Sequence, residues 1–290
     1  MKVDYCSDLH VDSWTGSTAI HDPSRRMWEG EPRKSRFLHI DWRAMKNPDS
    51  TILIIAGDIS NDVITSADVV AAAASEYEHV VVTMGNHETY MTDATVDLVH
   101  EGLRDLLRPY TNVHLLNWDC GVNLDGLAIL GCLGWYDFSC YEDLMISQLQ
   151  AKLAWSRYSN DSRYPQFGDR DVEIIAAEEA INLASQVSQA AEDDAIWEIL
   201  VVTHTSPRAD IMEWRDNDDV WNYLTPSYVN TAMDQVLPIS GGKIRHWIYG
   251  HTHHRQTLTK DGVDYRNNAR GYPNENAPFR LEQLELSRPT

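Results

Sequence analysis

Short apolar, β-branched runs recur along this chain, and most stop abruptly at Gly, Asp, Asn or His. The alternation predicts strands over 1–7 (MKVDYCS), 51–57 (TILIIAG), 79–85 (HVVVTMG), 112–117 (NVHLLN) and 127–135 (LAILGCLGW). Further strands are predicted over 197–204 (WEILVVTH), 245–251 (RHWIYGH), 256–260 (QTLTK) and 263–267 (VDYRN). Asp261-Gly262 between the last two signals a type I′ hairpin turn. A helical repeat puts Val96, Val99, Leu103 and Leu106 on one face of 93–108, and Pro109 stops the run. The same spacing puts Ile174, Ile181, Ala184, Val187 and Ala191 on one face of 171–192. Strands and helices alternate early and strands crowd the end, which predicts a layered α/β domain whose later sheet is partly antiparallel. No repeat or low-complexity linker divides the chain. Residues 1–290 therefore read as one domain, with insertions at about 11–50 and 136–195. Such insertions either shape a substrate mouth or decorate the surface.

Composition narrows the partners. Hydrophobic content of 43% and charged content of 23% are those of a globular chain that buries a core. A formal net charge of −20 disfavours grip on a duplex nucleic-acid backbone, yet a metal-lined pocket can still invert the local sign. No apolar run reaches membrane-spanning length, and MKVDYCSDLH lacks the apolar core of a signal peptide. The four cysteines (Cys6, Cys120, Cys132, Cys140) have no C-x-x-C spacing and read as free thiols. A cytoplasmic protein with no membrane partner is expected.

The chemistry lies where the strands stop. Asp8 and His10 follow the first run, Asp58 the second, and Asn86 and His87 the third; His204 ends a later one, and His251, His253 and His254 follow another. Carboxyl ends of strands border the ligand crevice of open α/β sheets, and a rigid sheet holds distant side chains in register. Asp8 and His10 are two apart, as are His251 and His253, so each pair can face one side of an extended chain. With His87 and His254 set aside, two aspartates, one asparagine and four histidines remain. Seven N and O donors exceed one tetrahedral zinc and suit two divalent ions sharing a carboxylate.

In order, the fragments SDLH, GDIS, GNHE, THTS and GHTH resemble the motif series of the calcineurin-like metallophosphoesterase superfamily, from residue 8 to residue 253. The stretch VDYRNNARGYPNE is also similar to the Asn-Pro-Arg-Gly-Tyr ending of many small bacterial members, with Ala269 in place of proline. Thr203 precedes His204 where many members have Gly. The resemblance implies an α/β fold, a four-layer α-β-β-α sandwich of two mixed β-sheets flanked by helices. It implies one ion on Asp8, His10, Asp58 and His253, another on Asp58, Asn86, His204 and His251, and Asp58 as the bridge. His87 would be catalytic, stabilising charge or protonating the leaving oxygen, while Glu88 either orients His87 or caps the turn. Arg270 is either a second contact to a phosphate oxygen or a structural ion pair.

The implied enzyme is a phosphoesterase using two divalent metal ions, manganese first, with iron, zinc or nickel also accommodated. It would hydrolyse a small phosphodiester or nucleotide through metal-activated hydroxide. A phosphomonoesterase or protein phosphatase is the alternative enzyme, and a non-catalytic scaffold on the same fold the alternative class. Trp135 and Tyr136, with Phe138, Trp14, Trp28 and Trp42, either stack on a base or pack. The oligomeric state is left open.

Overall fold

The computed structural model describes residues 1–14, 40–117, 120–140, 146–212, 224–276 and 278–288; most of the first insertion, Trp28 included, lies outside these. Strands β1 (Lys2–Cys6), β2 (Ile52–Ala56), β3 (His79–Thr83) and β4 (Val113–Leu115) run parallel in one sheet. A second sheet takes β5 (Val122–Leu124), β6 (Leu127–Cys132), β7 (Glu198–Thr203), β8 (Ile244–Tyr249), β9 (Gln256–Lys260) and β10 (Val263–Asn267) in the order β5-β6-β7-β8-β10-β9. Its edge strands β5 and β9 are antiparallel to their neighbours. Strand β11 (Glu282–Glu285) pairs antiparallel with β1 and completes the first sheet. The hairpin between β9 and β10 turns on Asp261 (φ 51°) and Gly262 (φ 80°), both left-handed as a type I′ turn requires.

Period-two alternation sorts the side chains into layers. Val3 and Tyr5 of β1, Ile52 and Ile54 of β2, and Val81 of β3 meet Leu127 and Ile129 of β6, Leu200 and Val202 of β7, and Ile248 of β8 between the sheets. Helices α1 (Trp42–Met45), α2 (Val63–Ala74), α3 (Val96–Leu107), α4 (Gln148–Tyr158) and α5 (Val172–Glu192) follow in chain order, and the intervening strand residues point outward under α2 and α3 on one side and α5 on the other. Each fully buried aliphatic side chain contributes about 1.5–3 kcal/mol. The result is two mixed sheets flanked by helices.

Three departures from the sequence reading have physical causes. Helix α2 is Ala-rich, and alanine gives little apolar contrast between faces, although Val63, Ala67, Val70 and Ala73 are buried. Along α5 the buried face is Val172, Ile175, Ala176, Ala180, Leu183 and Val187, whereas Ile174 and Ile181 are 48% and 69% exposed. Small alanines let the helix lie close to the sheet, and the branched residues are turned out. Stretch 136–195 is thus only partly an excursion, since α5 supplies a covering layer. Finally, β11 (EQLE) buries only Leu284 and gives no alternating signal.

Candidate metal centre

Strands β1, β2, β3, β7 and β8 end at Cys6, Ala56, Thr83, Thr203 and Tyr249, and the seven predicted donors follow each end by one to four residues. Five of the seven sit in left-handed backbone: Asp8 (φ 51°), His10 (40°), Asp58 (54°), His251 (67°) and His253 (53°). Such non-glycine positions cost of order 1–3 kcal/mol each and cluster where structure serves a site. Main-chain bonds lace the loops together, with Asp8 N–H donating to the Gly57 carbonyl (3.0 Å), His10 N–H to that of Asp58 (3.0 Å) and Gly250 N–H to that of His204 (2.8 Å). Two motif glycines are needed for close approach. A Cβ on Gly85 would lie 2.0 Å from Asp58 Oδ1, and one on Gly250 would lie 2.7 Å from Asp8 Oδ2.

The donors converge. Asp8, His10, Asp58 and His253 form one group, and Asp58, His204 and His251 a second, with ligand atoms in each lying within 4.8 Å of one another. Asn86 Oδ1 joins the second, 2.9 Å from His204 Nε2 and 3.1 Å from His251 Nδ1. Asp58 Oδ1 is 3.3 Å from His204 Nε2, and Asp58 Oδ2 is 3.7 Å from His10 Nε2. His10 Nε2 and His253 Nε2 stand 2.9 Å apart.

Surrounding groups fix which atoms face inward. His204 Nδ1 is 2.9 Å from the Ala56 carbonyl, which can only accept, so Nε2 is the inward lone pair. His253 Nδ1 is held by Glu275 Oε2 at 2.6 Å. The Asn86 amide nitrogen donates to Asp161 and Tyr90, which turns its oxygen inward. Lone pairs of nitrogen and oxygen thus meet at hydrogen-bond distance, an arrangement that a proton or a cation must hold together. Protons alone meet the need as follows. Burial would lower the His204 pKa, but Asp58 outweighs it and pushes it up to about 10. Burial would likewise lower the His253 pKa, but Asp8 and Glu275 outweigh it and push it up to about 9. Burial, aided by the neighbouring histidines, holds His10 down to about 3 and His251 to about 4. Divalent ions fit the same borderline donors and would displace those protons.

His87 lies at the edge. Its N–H donates to Asp58 Oδ1 (2.9 Å), its Nδ1 is 2.6 Å from Asn61 Oδ1, and its Nε2 is 3.8 Å from Asp58 Oδ2. Tyr272, 37% exposed at the mouth, brings its hydroxyl to 3.5 Å from His87 Nε2 and stacks on His10 at 4.5 Å. Glu88 does not orient His87. It is buried and accepts from the N–H groups of Asp58 (3.2 Å), Ile59 (2.7 Å), Ser60 (3.3 Å) and Gly85 (2.7 Å), clamping the turn that carries Asp58. Burial, with Asp58 nearby, pushes its pKa up to about 7.

The remaining predicted residues are engaged by other protein groups. The Arg270 guanidinium packs 4.0 Å from the Trp14 ring and donates to the Leu9 carbonyl (3.3 Å), so it braces the loop bearing Asp8 and His10. Trp135 and Tyr136 are 1% and 0% exposed and meet other aromatics edge-to-face, and that burial leaves neither ring open to a base. Trp42 is buried in the same core. Ala269 suits its place because its N–H donates to Asn267 Oδ1 (3.0 Å), a bond proline lacks. Sequence reasoning missed Asn61, Asp161, Glu275 and Tyr272. Only Tyr272 and Glu275, within the ARGYPNE stretch, lay in a fragment already singled out.

Residues 1–255 match the family described as calcineurin-like phosphoesterase. Uncharacterized protein L509 of Acanthamoeba polyphaga mimivirus is 23% identical over 289 residues, which cover 95% of this chain and 92% of that protein. The solved structure of phosphopantetheinyl hydrolase, PptH, from Mycobacterium tuberculosis has a TM-score of 0.69 at 16% identity, over 98% of this chain and 95% of that one. At that identity the likeness speaks to the fold alone.

Proposed function

The chain belongs to the calcineurin-like phosphoesterase family and is a metal-dependent phosphoric ester hydrolase, and from that premise we propose that it cleaves a small phosphodiester or nucleotide. The observation carrying this reading is the convergence of two donor groups on one carboxylate, Asp58, with His87 beside it. Asp8, His10, Asp58 and His253 would hold one divalent ion; Asp58, Asn86, His204 and His251 would hold the other. Manganese suits this oxygen- and imidazole-rich set. Bound ions supply charge neutralisation for the phosphate and a lowered pKa for water.

The chain's own part is positional. Asn61 takes up Nδ1–H of His87, so Nε2 is the atom that passes a proton to the departing oxygen. Tyr272 and Tyr90 flank that ring, at 6.4 and 4.2 Å between centroids, and confine the leaving group. Among the described residues no lysine or arginine forms an ion pair with Asp8 or Asp58. Free cysteines support a cytoplasmic setting. Among the described residues no helix is long and apolar enough to cross a membrane.

The test compares bis-p-nitrophenyl phosphate with p-nitrophenyl phosphate on manganese-loaded protein. A higher kcat/KM on the diester, abolished by chelation, is expected. Preference for the monoester would overturn the substrate assignment.

A further inference from the structure

We propose that Asp161 is the positioning residue that makes Asn86 a metal donor, so that the stretch following β6 helps to build the centre. The inference rests on the reading of Asn86 as a ligand given above.

An amide can bind a cation only through its oxygen, yet its oxygen and nitrogen ends are nearly alike in size. Packing cannot choose between them; hydrogen bonding must. Asn86 Nδ2 lies 2.8 Å from Asp161 Oδ1 and 2.9 Å from the Tyr90 hydroxyl oxygen. A carboxylate only accepts. The Tyr90 hydroxyl spends its proton on Asp161 Oδ1 at 2.5 Å, which leaves a lone pair towards Asn86. On the far side, Tyr136 donates to Asp161 Oδ2 (3.2 Å) and accepts from Trp155 Nε1 (2.5 Å), on helix α4 (Gln148–Tyr158). Every donor direction in this buried set is therefore determined. The flipped amide would press its oxygen against two acceptors. The anchored amide aims that oxygen at His204 Nε2 and His251 Nδ1.

The carboxylate also adds charge. Asn86 is the neutral donor of its group, and an anion accepting from its N–H draws density towards the carbonyl oxygen. The same logic underlies carboxylates behind metal-binding histidines, whose loss typically costs about 10- to 100-fold in metal affinity. Asp161 is 3% exposed and sits in the short turn Asn160–Ser162, where its N–H donates to Ser159 Oγ (3.1 Å). In sequence, SNDS reads only as a polar surface turn.

Titration of metal-free, full-length protein with Mn²⁺ alone tests this without reference to turnover. Asp161→Ala should weaken one of two ions by about 10- to 100-fold and leave the other unchanged. Asp161→Asn keeps an acceptor for Asn86 and should lose only about 3- to 10-fold; it carries the test if the alanine variant does not fold. In an Asn86→Ala background, Asp161→Ala should cost nothing more. Wild-type affinity at both sites in the Asp161 variants overturns the inference. So does an equal loss with Asn86 already removed, since Asp161 would then act through general scaffolding. Asn86→Ala alone reads the ligand assignment separately, because unchanged affinity there defeats that reading whatever Asp161 does.

Discussion

The two donor groups that share Asp58 are supported from opposite sides. The group with Asn86 and His204 is backed by the interior: both residues are buried, and their outer partners are the Ala56 carbonyl and Asp161. The group with His10 and His253 is backed from the surface. His253 leans on Glu275, whose side chain is 40% exposed, and the Tyr272 ring covers His10 at the mouth. An ion held by fixed, dry partners exchanges only when the fold opens, whereas one held by a screened carboxylate can leave through the mouth. On the proposed two-ion reading, that contrast would make the inner position architectural and the outer one exchangeable.

The largest expected effect comes from the residue that both halves use. Asp58→Ala should cost both ions and lower turnover by on the order of 10³-fold or more, since each ion is worth several kcal/mol to the reaction. Metal analysis checks it. One ion retained at full affinity would show that the carboxylate belongs to a single half.

His87 belongs to neither half, which makes it the control for both. His87→Ala should retain two ions and lose about 10²- to 10⁴-fold in kcat on esters with poor leaving groups. On p-nitrophenyl esters, whose leaving group needs no proton, the loss should be smaller. Equal losses on both would remove the acid role, and a lost ion would make His87 part of the metal scaffold.

What could be read from the sequence divides along a similar line. The seven residues of the candidate centre were legible as a set because each follows an apolar run within a few residues, and glycines at 57, 85 and 250 mark where a backbone must pass close to a carboxylate or imidazole. The Asp261-Gly262 turn was legible for the same local reason. The groups that aim the donors were not. Asn61, Asp161 and Glu275 reach the centre from loops whose placement depends on the whole fold, and alone each reads as turn polarity. Arg270, Trp135 and Tyr136 show the converse. Their types suit phosphate and base, but burial commits them to packing. The α5 face was misread because Ile174 and Ile181 outweigh alanines on any hydropathy pattern, while contact with the sheet rewards smallness.

The smallest effect is the one that most sharpens the contrast between the halves. Glu275 Oε2 accepts from His253 Nδ1 at 2.6 Å and from the Tyr272 N–H at 2.7 Å, so it fixes an imidazole and the mouth aromatic together. Glu275→Gln keeps an acceptor in place and removes a charge that water and salt already screen. The outer ion should therefore bind no more than about tenfold more weakly, at the low end for outer-partner losses. The deficit should shrink as ionic strength rises, because only the screened charge has changed. Asp161→Asn makes the same chemical change in the dry interior, and its deficit should not depend on salt. Mn²⁺ titrations of the two variants at low and high salt make the comparison directly. If the Glu275 deficit matched that of Asp161 and ignored salt, the mouth would be as dry as the interior and the distinction between the halves would fail.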